Sequence, residues 1–197
     1  KPFVTHHNAL NIDVYLRISM GELWQKRLII GGFEKTFEIG RQFRNEGISM
    51  EHLQDYSQME FYWAYVDYEQ GIKLVEEMYK YVAKQVLGSL KFKTHGFEID
   101  FSKPWKKIDY VSEIKKQTGL NYFKASNKDI EKKLKELKID FQAGLEKERL
   151  IDLLWKYCRK NIAGPAFLIN HPVLVAPLAK GIANTKTVQM FQPIIAG

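Results

Sequence analysis

Cysteine is nearly absent from this sequence, and long apolar runs are absent altogether. The 197 residues contain one cysteine, Cys158, which excludes an intrachain disulfide framework and a cysteine-rich zinc site. No apolar run approaches the roughly 18–20 residues that a membrane-spanning helix needs, and no signal-peptide pattern, internal repeat or low-complexity tract is visible. We therefore expect a reducing, cytoplasmic setting and no membrane partner, with Cys158 in the core.

Charge of one sign is in modest excess. The chain has 30 Lys+Arg against 23 Asp+Glu, a net charge of +7, with 45% hydrophobic and 13% aromatic residues. The apolar content indicates a packed globular protein rather than a disordered one. The charge suits a polyanionic partner such as a nucleic acid or a nucleotide, and good solubility is an equally strong interpretation.

Hydrophobic periodicity predicts strands at both ends of the chain and helices between them. Alternation predicts strands at 12–18, 35–47, 56–67, 165–172 and 187–197, and a hairpin at 90–101 that turns at 94–96. Helical spacing predicts helices at 19–32, 68–88, 110–117, 128–137 and 146–160. This order indicates an α+β fold, an antiparallel core interrupted by a helical insertion at about 101–161.

Two details of the helices are predicted from side-chain spacing. Ser19 and Glu22 have the spacing of a capping box at the start of the first helix, which Gly31 and Gly32 would end. The helix at 68–88 has an apolar stripe expected to be buried, formed by Ile72, Val75, Met78, Tyr79, Val82 and Val86.

The strands at 35–47 and 56–67 are expected to pair as an antiparallel hairpin with two different faces. One face of the first strand is apolar (Phe37, Ile39, Phe43) and should pack on a core, whereas the other is polar (Glu38, Gln42, Arg44, Glu46). Pairing can bring Arg44 and Glu46 onto the surface that carries Glu60 and Tyr62. Arg binds phosphate or carboxylate and Glu can hold an amine, so this surface could be the floor of a site. The pattern alone favours the alternative, a solvent-facing surface with cross-strand ion pairs.

The residues themselves carry a resemblance that the pattern does not. FRNEG at 43–47, followed by His52 and then by MEFYWAY at 59–65, resembles motif 2 of class II aminoacyl-tRNA synthetases. The stretches 1–19, 22–49 and 172–180 resemble lysyl-tRNA synthetases in particular, and the similarity is weakest at about 101–161. It implies that 1–197 is part of a class II catalytic domain, with an antiparallel sheet flanked by helices. The implied activity is ATP-dependent activation of lysine to lysyl-adenylate and transfer to tRNA(Lys).

The resemblance also implies roles for seven residues. Arg44 would hold the α-phosphate of ATP and the lysine carboxylate, and act in catalysis. In the ATP site, Glu46 would lie near the adenine amino group, His52 near the terminal phosphate, and Tyr56 against the adenine, where the family usually has Phe. Glu60 and Tyr62 would recognise the lysine side chain, and Glu22 would contact the substrate amine unless it only closes the capping box.

Departures and missing parts leave other interpretations open. Glu51 stands where the family has arginine, and Gln192 where a metal-binding glutamate is expected. Both ends of the sequence look like the inside of a longer protein: motif 1, motif 3, the anticodon-binding domain and most ligands of Mg²⁺ would lie outside it, and no metal ligand is assigned within it. The full-length enzyme would be a homodimer. The alternatives are a synthetase-like lysyltransferase acting on elongation factor P and a non-catalytic relative that binds nucleotide or RNA.

Overall fold

The chain forms two compact units in the computed structural model, which describes residues 2–47 and 52–197. Unit 1 is Lys1–Val66 and unit 2 is Asp67–Gly197. The seven residues for which a role is expected all belong to unit 1. Glu51, the position that departs from the family pattern, lies outside the described residues, as does the first half (48–51) of the predicted connection at 48–55.

Unit 1 consists of two antiparallel hairpins and one helix. The elements are β1 (Val4–His7), β2 (Ile12–Tyr15), α1 (Glu22–Ile30), β3 (Lys35–Phe43) and β4 (Asp55–Trp63). β1 pairs with β2, and β3 pairs with β4 over nine residue pairs. The hairpin of β3 and β4 was predicted correctly, whereas the strand predicted at 12–18 ends early, at Tyr15.

Helix α1 begins differently from its prediction. The residue before the helix is Gly21, at φ 57°, and no side chain caps the first turn, so the capping box of Ser19 and Glu22 is wrong. The first helical hydrogen bond runs from the Gln25 N–H to the Gly21 carbonyl at 2.5 Å. Glycine adopts this left-handed conformation at little energetic cost. Because the helix begins after Gly21, the Glu22 carboxylate has no capping role. The predicted stop at Gly31 and Gly32 is confirmed.

The two faces of the β3–β4 hairpin are not buried as the alternation predicted. On the apolar face, Phe37 is 72% exposed and Ile39 is 67% exposed. On the polar face, Gln42 is 0% exposed. The expectation that the apolar face packs on a core is therefore wrong for this chain, because the covered face is the polar one.

Unit 2 contains the larger core. Its helices are α2 (Tyr68–Leu87), α3 (Tyr110–Thr118), α4 (Asn127–Glu136) and α5 (Lys147–Arg159). Its strands are β5 (Lys91–Thr94), β6 (Phe97–Asp100), β7 (Lys106–Asp109), β8 (Ala166–Pro172) and β9 (Thr187–Ile194). The four helices, the hairpin of β5 and β6, and the last two strands all lie where the sequence predicted them, within two or three residues.

The sheets of unit 2 contain one strand that the sequence did not predict. β7 pairs in parallel with β8, and β8 pairs antiparallel with β9, which gives a three-stranded mixed sheet in place of a purely antiparallel one. Helices α3, α4 and α5 pack in one core with Leu168 of β8 and Ile194 of β9. The helices at about 101–161 therefore share their core with the strands that follow them.

Helix α2 is held at its N-terminus by a capping box. The Asp67 carboxylate accepts from the Gln70 N–H at 3.0 Å, and the Gln70 side chain accepts from the Asp67 N–H at 3.0 Å. The predicted apolar stripe is buried over only part of the helix. Ile72 and Val75 are buried, whereas Val86, near the C-terminal end, is 74% exposed. Among the described residues, no helix is both long and apolar enough to cross a membrane.

Candidate functional site

The polar face of the β3–β4 hairpin brings the candidate residues together. In the register, Glu38 lies opposite Glu60, Thr36 opposite Tyr62, and Gln42 opposite Tyr56. Directly opposed residues of an antiparallel pair share a face. The pairing that the sequence predicted is confirmed, and it places Glu60, Tyr62 and Tyr56 on one surface.

Arg44 continues this face just beyond the end of β3. Its N–H donates to the Gln54 carbonyl at 2.9 Å, which extends the ladder by one step. Its Nε donates to the Ile18 carbonyl at 3.1 Å, and its guanidinium lies over the Tyr56 ring, 5.9 Å from the centroid. No carboxylate of the described residues forms an ion pair with Arg44, so its charge is available to an anionic ligand.

Glu46 and His52 lie in the connection between the end of β3 and the start of β4. The Glu46 N–H donates to the Arg44 carbonyl at 2.8 Å, and the Glu46 carbonyl accepts from Gln54 Nε2 at 3.3 Å. Glu46 is exposed. His52 is also exposed. The structure thus places the Arg44 guanidinium over the Tyr56 ring, whereas Glu46 lies beyond the paired residues of β3.

Two carboxylates flank the phenol of Tyr62. Its pKa is raised above the ordinary value, first because the ring is partly buried and then because Glu22 and Glu60 lie near it. Glu60 accepts a hydrogen bond from Gln58 Nε2 at 2.7 Å. Within the described part of the chain, neither Glu22 nor Glu60 forms an ion pair. The result is a negatively charged surface beside the Tyr62 hydroxyl, which suits a cationic group.

Two polar side chains at this face were not predicted to be site residues. Gln42 is fully buried; in the amide orientation that satisfies its hydrogen bonds it donates to the Ile18 carbonyl at 3.1 Å and accepts from the Met20 N–H at 3.2 Å. Arg17 donates from Nε to the Arg41 carbonyl at 2.6 Å and from Nη1 to Glu38 Oε1 at 2.5 Å. Alternation indicated the face of Gln42, but no local pattern could show that Arg17 returns to β3.

Metal ligation finds no support in this part of the molecule. The described residues contain no group of three or more His, Cys, Asp or Glu side chains placed to hold a metal ion. Gln192, the position of the expected metal-binding glutamate, lies in unit 2 on β9, opposite Leu168. An amide at this position is a weaker ligand for a hard cation than a carboxylate.

Sequence comparisons cover almost the whole chain. The profile of the family "tRNA synthetases class II (D, K and N)" matches residues 1–194. The lysine–tRNA ligase of Clostridium botulinum (strain Hall) is 42% identical over 186 residues, which cover 91% of this chain and 36% of the relative. The lysine–tRNA ligase of Thermotoga sp. (strain RQ2) is 41% identical over 198 residues, covering 100% of this chain and 39% of the relative. That of Clostridium kluyveri is 39% identical over 203 residues, covering 100% and 40%. The chain thus spans well under half the length of these relatives.

Proposed function

The chain belongs to the class II tRNA synthetases (D, K and N), and from this premise we propose that the protein containing it is a lysine–tRNA ligase. The observation that carries the choice of lysine is the pair of carboxylates, Glu22 and Glu60, beside Tyr62 and without a cationic partner among the described residues. Aspartate and asparagine side chains offer no positive charge to such a pair. The names of the matched relatives support the same choice.

The lysine subsite is formed by Glu60, Tyr62 and Glu22. Glu60 accepts hydrogen bonds from the side-chain ammonium, and the Tyr62 hydroxyl fixes its position. Glu22, free of any capping bond, takes the α-amino group. A hydrogen bond to a charged group contributes about 1.5–3 kcal/mol, which a neutral amino acid of the same length would forgo. The Tyr62 hydroxyl is protonated near neutral pH, as the upward direction of its pKa shift also requires, and is able to donate.

Arg44 holds the anionic groups of both substrates. Its exposed guanidinium can bind the α-phosphate and the lysine carboxylate, since Arg forms planar, bidentate contacts with such groups. Tyr56, whose ring centroid lies 5.9 Å from the Arg44 guanidinium carbon, provides a ring against which adenine can stack. Glu46 near the adenine amino group and His52 near the terminal phosphate complete the proposed ATP site.

The reaction then proceeds in two substitutions. A lysine carboxylate oxygen attacks the α-phosphorus and forms a P–O bond, while the bond from that phosphorus to the bridging oxygen breaks and pyrophosphate leaves. A hydroxyl of the terminal ribose of tRNA next attacks the acyl carbon and forms an ester bond, while the bond from that carbon to the phosphate oxygen breaks and AMP leaves, taking up the proton of the hydroxyl. Arg44 stabilises the negative charge that develops at the α-phosphoryl oxygens. Mg²⁺, when bound, would neutralise the other phosphate charges. A homodimer in the cytoplasm is part of the same proposal for the full-length protein.

The transfer step tests the proposal against its nearest alternative. The full-length protein is incubated with ATP, radiolabelled lysine and total tRNA, with and without elongation factor P. Label in the tRNA fraction, independent of the protein acceptor, is the expected result. Label on the protein acceptor alone would indicate a lysyltransferase instead of a tRNA ligase. Label on neither acceptor would favour the non-catalytic interpretation.

A further inference from the structure

Arg17 lies outside β3 and β4, but its side chain reaches the polar face of their hairpin, which carries Glu60 and Tyr62. Its carbonyl accepts from the Phe43 N–H at 2.9 Å, so the chain runs beside the end of β3. Its side chain then follows β3 backwards, with Nε on the Arg41 carbonyl and Nη1 on Glu38 Oε1. These contacts hold the guanidinium beside the hairpin face, although the side chain remains 44% exposed.

Gly40 provides the space that this guanidinium occupies. A Cβ atom built on Gly40 would lie 2.3 Å from Arg17 Nη2, which is far inside contact distance. Gly40 is the residue between Glu38 and Gln42 on the same face, opposite Gln58. The missing side chain therefore lets the cation lie close to the strand and beside Glu38.

Glu38 and Glu60 form a directly opposed pair of acids. Like charges directly opposite on one face of a sheet repel each other, because their Cβ atoms are only about 4.5–5.5 Å apart. Arg17 is paired with Glu38, whereas Glu60, among the residues that the structure describes, has the Gln58 amide as its partner and no cation. The two carboxylates are thus made unequal: one is neutralised by the protein and the other is left for a ligand.

We propose that Arg17 is a positioning residue of the lysine subsite, which neutralises Glu38 so that Glu60 alone receives the substrate ammonium. The role rests on the proposed function, because it assigns Glu60 to the substrate. Without Arg17, the Glu38 carboxylate repels Glu60 and competes for the ammonium. Without Glu38, the guanidinium turns to Glu60 and competes with lysine from the other side.

A double-mutant cycle tests this balance in the full-length protein, with lysine-dependent ATP–pyrophosphate exchange as the assay. Arg17→Met and Glu38→Gln should each raise the KM for lysine by about three- to fivefold, as expected for opposed charges on a sheet, and leave the KM for ATP unchanged. The double variant should return to within about twofold of the wild type, since it contains neither unpaired charge. The single-variant effects should shrink as salt is raised.

Arg41→Met is the matched control. Arg41 lies on the same strand but on the opposite face, in an exposed ion pair with Asp55 at 2.9 Å, so its loss should not alter the KM for lysine. If Arg17→Met fails to fold, Glu38→Gln still decides, because an unchanged KM for lysine in that variant overturns the proposal.

Two further outcomes separate the possible failures. A double variant as impaired as Arg17→Met alone would show that Arg17 only supports the fold, and would overturn its role in the subsite. Variants that all match an active wild type would overturn the role of Arg17 and leave the proposed function intact. Absence of lysine-dependent exchange by the wild type would overturn the proposed function, and this inference with it.

Discussion

Glu60→Gln isolates the charge on which the choice of substrate depends. The change is nearly isosteric and keeps an oxygen that can accept the 2.7 Å hydrogen bond from Gln58 Nε2, so the hairpin should be unaffected. What is lost is the charge-assisted bond to the lysine ammonium, about 1.5–3 kcal/mol. At tenfold per 1.4 kcal/mol, kcat/KM for lysine should fall about 10- to 150-fold. ATP–pyrophosphate exchange at varied lysine measures this directly in the full-length protein.

Asp55→Asn is the control for Glu60→Gln. It makes the same acid-to-amide change on the same strand, in an exposed ion pair with Arg41 on the opposite face, and should leave kcat/KM for lysine within about twofold of the wild type, as is usual for exposed pairs. Thermal unfolding confirms that both variants are folded. If Glu60→Gln is folded and keeps its kcat/KM for lysine, Glu60 does not bind the substrate and the reasoning from the paired carboxylates is refuted.

Three further predictions concern catalysis, the core and the thiol. Arg44→Ala should lower adenylate formation by about 100- to 1,000-fold without unfolding the protein; an unfolded variant whose soluble remainder is fully active would make Arg44 structural. Leu154→Ala should lower the free energy of unfolding in urea titrations by about 2–5 kcal/mol, because the side chain is fully buried. Leu178→Ala, at a fully exposed position, should not change it measurably, and equal effects of the two variants would contradict the described core. Burial raises the pKa of Cys158 to about 11, so a thiol reagent at mildly alkaline pH should label it only after denaturant is added, and rapid labelling of the native protein would contradict its burial.

Local sequence signals predicted most of the elements and failed where distant residues decide. The helices α3, α4 and α5 and the hairpin of β3 and β4 follow directly from periodicity. β7 has only four residues, two of them lysines, and becomes a strand because β8, some 60 positions later, pairs with it. Nothing local indicates that partner. The capping box failed because Gly21 makes a left-handed turn that moves the helix start past Ser19.

The candidate site shows the same division between local pattern and tertiary placement. Alternation correctly placed Glu60 and Tyr62 on one face with the polar residues of β3, but it assigned burial to the wrong face. Gln42 is buried because the segment at 17–20 crosses that face, and the path of this segment cannot be inferred from hydrophobic spacing. The same path brings Arg17 to Glu38. The expectation that these residues form a substrate site came from the resemblance of the motif, and the described contacts add the charges that make lysine a suitable ligand.

Amino-acid-dependent ATP–pyrophosphate exchange by the full-length protein is the most direct test of the central claim. Lysine, aspartate and asparagine are compared at equal concentrations, because the family to which the chain belongs comprises enzymes for all three. Glu22 and Glu60 lie beside Tyr62 without an ion pair to any described residue, which predicts exchange with lysine and none above background with the other two. Exchange with aspartate or asparagine, or no exchange with lysine by the folded protein, would contradict the account.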